Sequence, residues 1–225
     1  MGTSYNPRIV TDGLVLCFDA ANARSYPGTG TTWTDLKGDN NGTLTNSPTF
    51  DSANGGSVVF DGTNDYVDVS GTASLNAPIS TNITISTWIY ITKSNAWQGV
   101  ITKNRSTFTQ VGLFLSNNNQ FVFGFSGNGG NLIGSSFSTN IWYNVAVVQQ
   151  ANTSRKIYLN GSLDVTQTSS FGTTSSGSET FRLGQATGVN EYFGGRISNA
   201  AIYYNKALTA DEVRQNYLAT KGRYE

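Results

Sequence analysis

The chain has 225 residues, with 14 basic and 14 acidic side chains, so its formal net charge is zero. This balance argues against a nucleic-acid partner, which calls for a basic stripe, and the single cysteine, Cys17, excludes a disulfide framework within the chain. The N-terminal residues contain no apolar signal segment, and no stretch reaches the ~20 apolar residues of a membrane span. We therefore expect no membrane insertion, and either a cytoplasmic protein or one exported by a route that needs no Sec signal peptide, to a virion or a cell-exterior surface.

Segments of alternating apolar residues follow one another along the chain and predict β-strands. The first is Leu14–Phe18. In Asn82–Ile91 the isoleucines share one face and Trp88 and Tyr90 the other, which predicts a strand buried on both faces. Further predicted strands are 120–125, 141–148 and 155–159. Asn160–Gly161 indicates a two-residue hairpin turn, because both positions favour positive φ. The spacing predicts roughly twelve short strands in a sandwich or jelly roll.

One helix is predicted near the C-terminus. Thr209 has the features of an N-cap, and Glu212, three residues later, completes a capping box. Leu208 precedes the cap and is placed to contact Val213 as a hydrophobic staple. We predict a helix that is capped by Thr209, ends at about Leu218 and closes an otherwise all-β chain.

Seven segments in a fixed order carry a resemblance to a known family. They are 59–69, 83–89, 142–148, 157–161, 183–185, 193–197 and 207–213. Together they resemble the laminin-G-like and pentraxin-like domains of the concanavalin A type. The resemblance implies a two-sheet antiparallel jelly-roll sandwich with a short C-terminal helix. The length of the chain and the lack of an interdomain linker predict an N-terminal arm over residues 1–12, followed by a single laminin-G-like domain over residues 13–225.

A second, narrower resemblance concerns the opening block Trp33–Leu44. It is similar to a segment of laminin-G-like domains in bacteriophage structural and tail proteins. For the family as a whole, the resemblance implies binding of sugars or proteins, often with calcium, and rarely catalysis. The calcium-binding carboxylates of pentraxins are not carried over, because the matching positions here are Ala186, Thr187 and Gly188.

Residue chemistry argues against an enzyme. The chain has no histidine, which removes the usual nucleophile–imidazole arrangements and almost all zinc sites. Glycoside hydrolysis needs two carboxylates across one sugar bond. The glutamates are Glu179, Glu191, Glu212 and Glu225. None of them begins the alternating carboxylate strand of the fold's retaining glucanases, so we expect no catalytic activity.

Two short acidic stretches suggest a calcium site. Asp35 and Asp39 precede one predicted strand, and Asp61 and Asp65 lie close together further on. Loops of this kind supply the six to eight oxygens that calcium prefers, so a structural calcium ion bound by Asp35 and Asp39 with Asp61 or Asp65 is one hypothesis. The alternative, which we favour narrowly, is that these aspartates are ordinary turn residues.

Loop residues supply the candidates for sugar binding. Trp97 lies in a polar loop between two predicted strands, where an exposed aromatic ring could stack on a pyranose. Asn104 and Arg105 follow in the next loop, and Asn190 and Tyr192 in a later one. The alternative is that Trp97 covers the core and the others are solvated turn residues. By contrast, Trp88 and Trp142 lie within predicted strands, and we expect them to be core residues.

The sequence thus predicts a non-catalytic, lectin-like carbohydrate-binding module, displayed on a phage virion for adhesion to glycans. The alternative is a structural or decoration protein that acts through protein–protein contacts, with the arm at 2–8 as its contact segment. The expected partners are cell-surface glycans or other virion proteins, and the protein could be a homo-oligomer or present in many copies per particle. The one candidate cofactor is calcium, in a structural role.

Overall fold

The computed structural model describes residues 8–69, 74–75, 82–103, 111–125, 130–151, 153–168, 180–186 and 189–225. These residues form eighteen β-strands and one α-helix. The strands are β1 Leu14–Asp19, β2 Thr32–Trp33, β3 Gly42–Thr45, β4 Thr49–Asp51, β5 Ser57–Asp61, β6 Tyr66–Val69, β7 Ile83–Ile91, β8 Gln98–Lys103, β9 Val111–Leu115, β10 Gln120–Phe125, β11 Leu132–Ser136, β12 Trp142–Gln150, β13 Ser154–Leu159, β14 Ser162–Thr168, β15 Phe181–Leu183, β16 Gln185–Ala186, β17 Glu191–Tyr192 and β18 Gly194–Tyr204. The helix α1 spans Ala210–Thr220, and 3-10 helices span Ala53–Gly55 and Lys221–Arg223.

The strands form two antiparallel sheets that pack face to face. In the first sheet the order is β14-β13-β12-β7-β18-β5-β4, and β1 also pairs with β18. In the second sheet the order is β11-β10-β9-β8-β15-β6-β3-β2. Strands β16 and β17 form a separate two-stranded hairpin. The predicted all-β, two-sheet antiparallel sandwich with one short C-terminal helix is confirmed.

The core between the sheets follows from strand alternation. In β7 the side chains at every second position from Ile83 to Ile91 point inward, and its four isoleucines are fully buried. From the second sheet, Phe121 and Phe123 of β10 are fully buried against them in the same cluster. Burying each such side chain contributes about 1.5–3 kcal/mol. This continuous apolar layer holds the two sheets together.

The outer face of the first sheet is covered by α1. Leu208 and Val213 are buried there with Tyr203 of β18 and Val148 of β12. The side-chain hydroxyl of Thr209 accepts a hydrogen bond from the Glu212 N–H at 3.3 Å, and the Thr209 N–H donates to the Glu212 carboxylate at 2.8 Å. The predicted capping box is therefore confirmed, and the helix extends two residues beyond the predicted end.

The two tryptophans predicted to be core residues differ in burial. Trp88 is buried, as predicted, on the outer face of the first sheet, where it stacks on Tyr224 with ring centroids 4.0 Å apart. Trp142 is only partly buried and packs beside Tyr90 on that face, so the prediction for this residue was wrong. It lies at an outward-facing position near the start of β12. Trp33 is fully buried and stacks on Phe18.

The described part of the N-terminal arm packs onto the helix side of the first sheet. The N–H of Val10 donates to the Asn216 side chain at 2.8 Å, and the carbonyl of Arg8 accepts a hydrogen bond from Gln215. Residues 1–7, which include most of the arm, lie outside the described residues. The division into an arm and a single domain stays a prediction. None of the described helices is long and apolar enough to cross a membrane.

Candidate functional site

The two sheets differ in what covers their outer faces. α1 and the segment before β1 cover the first sheet. On the second sheet, the only described element that lies across the outer face is the small β16–β17 hairpin. The outward-facing residues of β8 and β9 are buried beneath it, whereas those of β6 and β15 remain partly exposed. We call the outer side of the second sheet the open face.

A tryptophan patch occupies one part of the open face. Phe114 of β9 and Val122 of β10 are directly opposite each other, and both point outward and are buried. Ala186 of the hairpin packs on them, and Trp97 and Val189 cover this cluster while remaining partly exposed. The patch thus consists of three buried residues below an aromatic and an aliphatic side chain that solvent can reach.

Glycine at position 99 lets the hairpin approach the sheet. A Cβ atom at Gly99 would lie 2.2 Å from the backbone nitrogen of Ala186, a distance that real atoms do not adopt. The hydroxyl of Thr102 donates a hydrogen bond to the Gln185 carbonyl at 2.8 Å. On the other side, Lys93 donates to the Tyr192 carbonyl at 3.3 Å. These contacts fix the hairpin against β8.

Arg182 and the three side chains that contact it, Tyr66, Asp68 and Gln185, adjoin the tryptophan patch. We call this group the arginine cluster. The guanidinium of Arg182 lies 4.4 Å from the centre of the Tyr66 ring, and its Nε is 3.4 Å from the carboxylate of Asp68. Its Nη1 donates to the Gln185 side chain at 2.6 Å. The amide nitrogen of Gln185 in turn donates to the Val189 carbonyl at 3.3 Å. The buried side chain of Gln185 therefore links the arginine cluster to the tryptophan patch by hydrogen bonds.

The structure brings together three of the five residues predicted to bind sugar. Trp97 packs against the cluster that includes Val189, and the exposed Asn190 and the half-buried Tyr192 lie in and beside the same hairpin. Asn104 and Arg105 lie outside the described residues. The assignment of all five to a site stays a prediction.

Sequence reasoning missed the arginine cluster, although a signal for it was present. In β15, Phe181 and Leu183 point into the core, so Arg182 must point outward. In β6, Val67 and Val69 are buried in the same way, which places Asp68 on the open face. The register pairs Arg182 with Asp68 across the two strands. The alternation alone predicts the outward direction, but the pairing of β6 with β15 requires the structure.

The first acidic pair is engaged by its own turn. The buried carboxylate of Asp35 accepts hydrogen bonds from the N–H groups of Cys17 at 2.8 Å, Lys37 at 2.9 Å and Asn40 at 3.2 Å. Asp39 is exposed. Asp35 therefore ties the loop that follows β2 to β1, which agrees with the turn interpretation of this residue.

The second acidic pair, Asp61 and Asp65, also accepts hydrogen bonds from the backbone of its own turn. One oxygen of Asp61 accepts from the N–H groups of Thr63 and Asn64, and Asp65 accepts from the Asp61 N–H at 3.1 Å. Burial opposes ionisation of Asp61, but these backbone hydrogen bonds outweigh it and lower its pKa. For Asp65, burial raises the pKa. Both carboxylates are thus explained by a tight turn between β5 and β6.

The structure does not bring the two acidic pairs together. Gly42 pairs with Val69 and Thr45 pairs with Tyr66, so Asp39 and Asp65 lie beyond opposite ends of the β3–β6 ladder. A ladder of four residues spans ~10 Å. In the described part of the chain, no three acidic or cysteine side chains are grouped as metal ligands. The calcium hypothesis stays a prediction, and the hydrogen bonds of these aspartates do not depend on an ion.

The sequence profile of the concanavalin A-like lectin/glucanases superfamily, in its laminin-G form, matches residues 61–214. The chain belongs to this family, and the predicted concanavalin A-like, laminin-G-like fold is confirmed. No curated protein sequence matches the chain.

Solved structures of similar fold include carbohydrate-binding proteins. Domain 4 of AbnA, a GH43 extracellular arabinanase from Geobacillus stearothermophilus solved with arabinotriose, is 19% identical, with a TM-score of 0.70, over 92% of this chain and 98% of that domain. The binding domain of Paraclostridial Mosquitocidal Protein 1 is 16% identical, with a TM-score of 0.71, over 91% of this chain and 52% of that one. Trypanosoma rangeli sialidase, solved with 2,3-difluorosialic acid, is 16% identical, with a TM-score of 0.70, over 96% of this chain. The chain spans 34% of the sialidase. At these identities, the likeness shows the fold.

Proposed function

We propose that the protein is a non-catalytic carbohydrate-binding module and that the open face of the second sheet binds the glycan. The observation that carries this proposal is the continuity of the tryptophan patch with the arginine cluster. The indole of Trp97 and the side chain of Val189 supply the apolar surface on which a pyranose ring packs. The partly exposed side chains of Arg182 and Asp68 supply donors and acceptors for its hydroxyl groups, and the buried Gln185 holds Arg182 in place.

The chemistry of the described carboxylates supports binding without catalysis. The carboxylate of Asp68 accepts a hydrogen bond from Arg182 at 3.4 Å. Glu212 belongs to the capping box, and Glu225 binds Lys221 and Tyr217. The relatives of known structure include a domain solved with arabinotriose, which supports a glycan as the partner class.

Display on a phage virion is a further part of the proposal, and it is supported by the resemblance of Trp33–Leu44 to segments of phage structural proteins. Many copies on one particle would raise binding strength 10²–10⁴-fold over a single site. A weak individual site on a shallow sheet surface would therefore be sufficient for adhesion.

The test is a glycan array probed with the protein coupled to beads, with and without a calcium chelator. Trp97→Ala and Arg182→Ala should each weaken binding about tenfold or more, because each removes a central contact. Arg196→Ala is the matched control: Arg196 lies 4.9 Å from the centre of the Tyr90 ring and 3.1 Å from Asp51, on the outer face of the first sheet. This variant should bind as the unmodified protein does.

Loss of binding on chelation would support the calcium hypothesis for Asp35, Asp39, Asp61 and Asp65. If the folded protein binds no glycan on the array, or if Arg196→Ala weakens binding as much as Arg182→Ala, the open face is not the sugar site. The first of these outcomes would favour the alternative of a virion protein that acts through protein contacts.

A further inference from the structure

A second concave surface lies on the opposite side of the molecule. It is a groove of about 310 Å³ between the outer face of β12 and β13 and the start of α1. Its apolar part includes Val148 and Leu208, and its polar part includes Gln150, Ser154 and Lys156. The volume falls at the lower end of the range for small-molecule sites. We call it the helix-end groove.

Two hydroxyl groups of the helix-end groove form no hydrogen bond with any described residue. They belong to Tyr158, which is 2% exposed, and Ser154, which is 4% exposed, and both residues line the groove. Neither hydroxyl is among the fully buried polar atoms that lack a partner, so solvent reaches both through the groove. Burial raises the pKa of the Tyr158 phenol, and the group stays a proton donor at neutral pH. A bound molecule with suitably placed oxygens would replace water at both hydroxyls.

The described lining of the helix-end groove carries a positive charge. Lys156 is the only charged residue among the described residues that line it, and it forms no ion pair with any of them. The nearest carboxylate of the helix cap, Glu212, is bound to Lys206 at 2.6 Å and to the Thr209 N–H. Asp211, in the first turn of α1, is exposed and does not line the groove. The groove therefore offers an uncompensated positive charge beside two free hydroxyl groups.

We propose that the helix-end groove binds a small molecule that carries one carboxylate and is about the size of a monosaccharide. The ammonium group of Lys156 binds the carboxylate, and the hydroxyls of Tyr158 and Ser154 donate to its oxygens or ring hydroxyls. The side chains of Val148 and Leu208 contact its apolar side. This site is separate from the open face, because it lies on the outer face of the other sheet.

The test is a titration of the isotope-labelled full chain with D-glucuronate, followed by amide chemical shifts, with D-glucose as the uncharged comparison. Glucuronate should shift the amide signals of residues 154–158 and 207–210 saturably, and glucose should bind at least tenfold more weakly. Lys156→Gln should weaken glucuronate binding about tenfold. Tyr158→Phe, which removes one oxygen and preserves the packing, should weaken it several-fold.

Lys37→Gln is the matched control, since Lys37 is an exposed lysine that does not line the groove. It should bind glucuronate like the unmodified chain. The absence of saturable shifts in these segments, equal binding of glucose, or unchanged binding by Lys156→Gln would each overturn the proposal. Trp97→Ala should leave this titration unaffected, so failure here and failure of the glycan array are distinguishable.

Discussion

The thiol of Cys17 shows how position determines the reactivity of one residue. Burial, followed by the nearby charges of Asp19 and Asp35, raises its pKa to about 11. The thiolate is the reactive form of cysteine. At neutral pH this side chain is therefore an inert, partly buried thiol, as expected for a structural residue.

The rate of alkylation by iodoacetamide tests the low reactivity of the Cys17 thiol. At pH 8 the folded protein should react about a hundredfold more slowly than after unfolding in urea, because a rise of about two pKa units lowers the thiolate fraction about a hundredfold. The raised pKa also means that Cys17 stabilises the fold below pH ~9, and that this contribution is lost as the pH rises towards 11. Equal alkylation rates in the folded and unfolded protein would contradict the burial.

At the scale of elements, the close approach of the β16–β17 hairpin to β8 depends on Gly99. A side chain at this position would collide with backbone atoms of Ala186, which cannot yield as a flexible side chain can. Gly99→Ala should therefore displace the hairpin, expose Trp97 and lower the free energy of unfolding by about 1–3 kcal/mol.

Urea denaturation measures the loss for Gly99→Ala, and a red shift of tryptophan emission reports the exposure. Gly222→Ala is the control, since a Cβ there would have no heavy atom within 4 Å. It should change stability by less than about 0.5 kcal/mol. Similar losses for both variants would show that the hairpin is not held by this contact.

Elements with a strong local signal were predicted well. The capping box at Thr209 and the hairpin at Asn160–Gly161 depend on neighbouring residues, and the structure contains both, with φ of 50° and 75° at the two turn residues. The sequence predicted about twelve strands, whereas the described residues form eighteen. Short strands such as β2 and β16 have two residues each, too few to show alternation, and they are recognised only by their pairing with the next strand, β3 or β17.

The candidate site was harder to predict, because it brings together residues that are far apart in the sequence. Trp97 was recognised because a tryptophan in a polar loop is unusual. Arg182 and Asp68 are 114 positions apart, and only the register of β15 with β6 makes them neighbours. Alternation placed Trp88 on the face opposite the isoleucines, as observed, but it does not show which of the two faces meets the other sheet. Pairing and layer order are set by contacts between segments far apart in the sequence.

At the scale of the whole molecule, one continuous apolar cluster includes residues from β1 at one end of the chain to β18 at the other. Since no part of the core can separate without exposing the remainder, we expect one cooperative unfolding transition. Circular dichroism and tryptophan fluorescence should give coincident urea midpoints, the mark of two-state behaviour. Two separate midpoints would contradict the prediction of a single domain over residues 13–225.

The positions of Arg8 and Glu225 have a consequence for how the molecule can be attached to a support. Arg8 is bonded to Gln215 of α1, and Glu225 to Tyr217 of the same helix. Both positions therefore lie on the helix side of the sandwich. Attachment to a support at either position turns the second sheet away from the support. Surface plasmon resonance with the protein immobilised in this way would leave the proposed glycan face unobstructed.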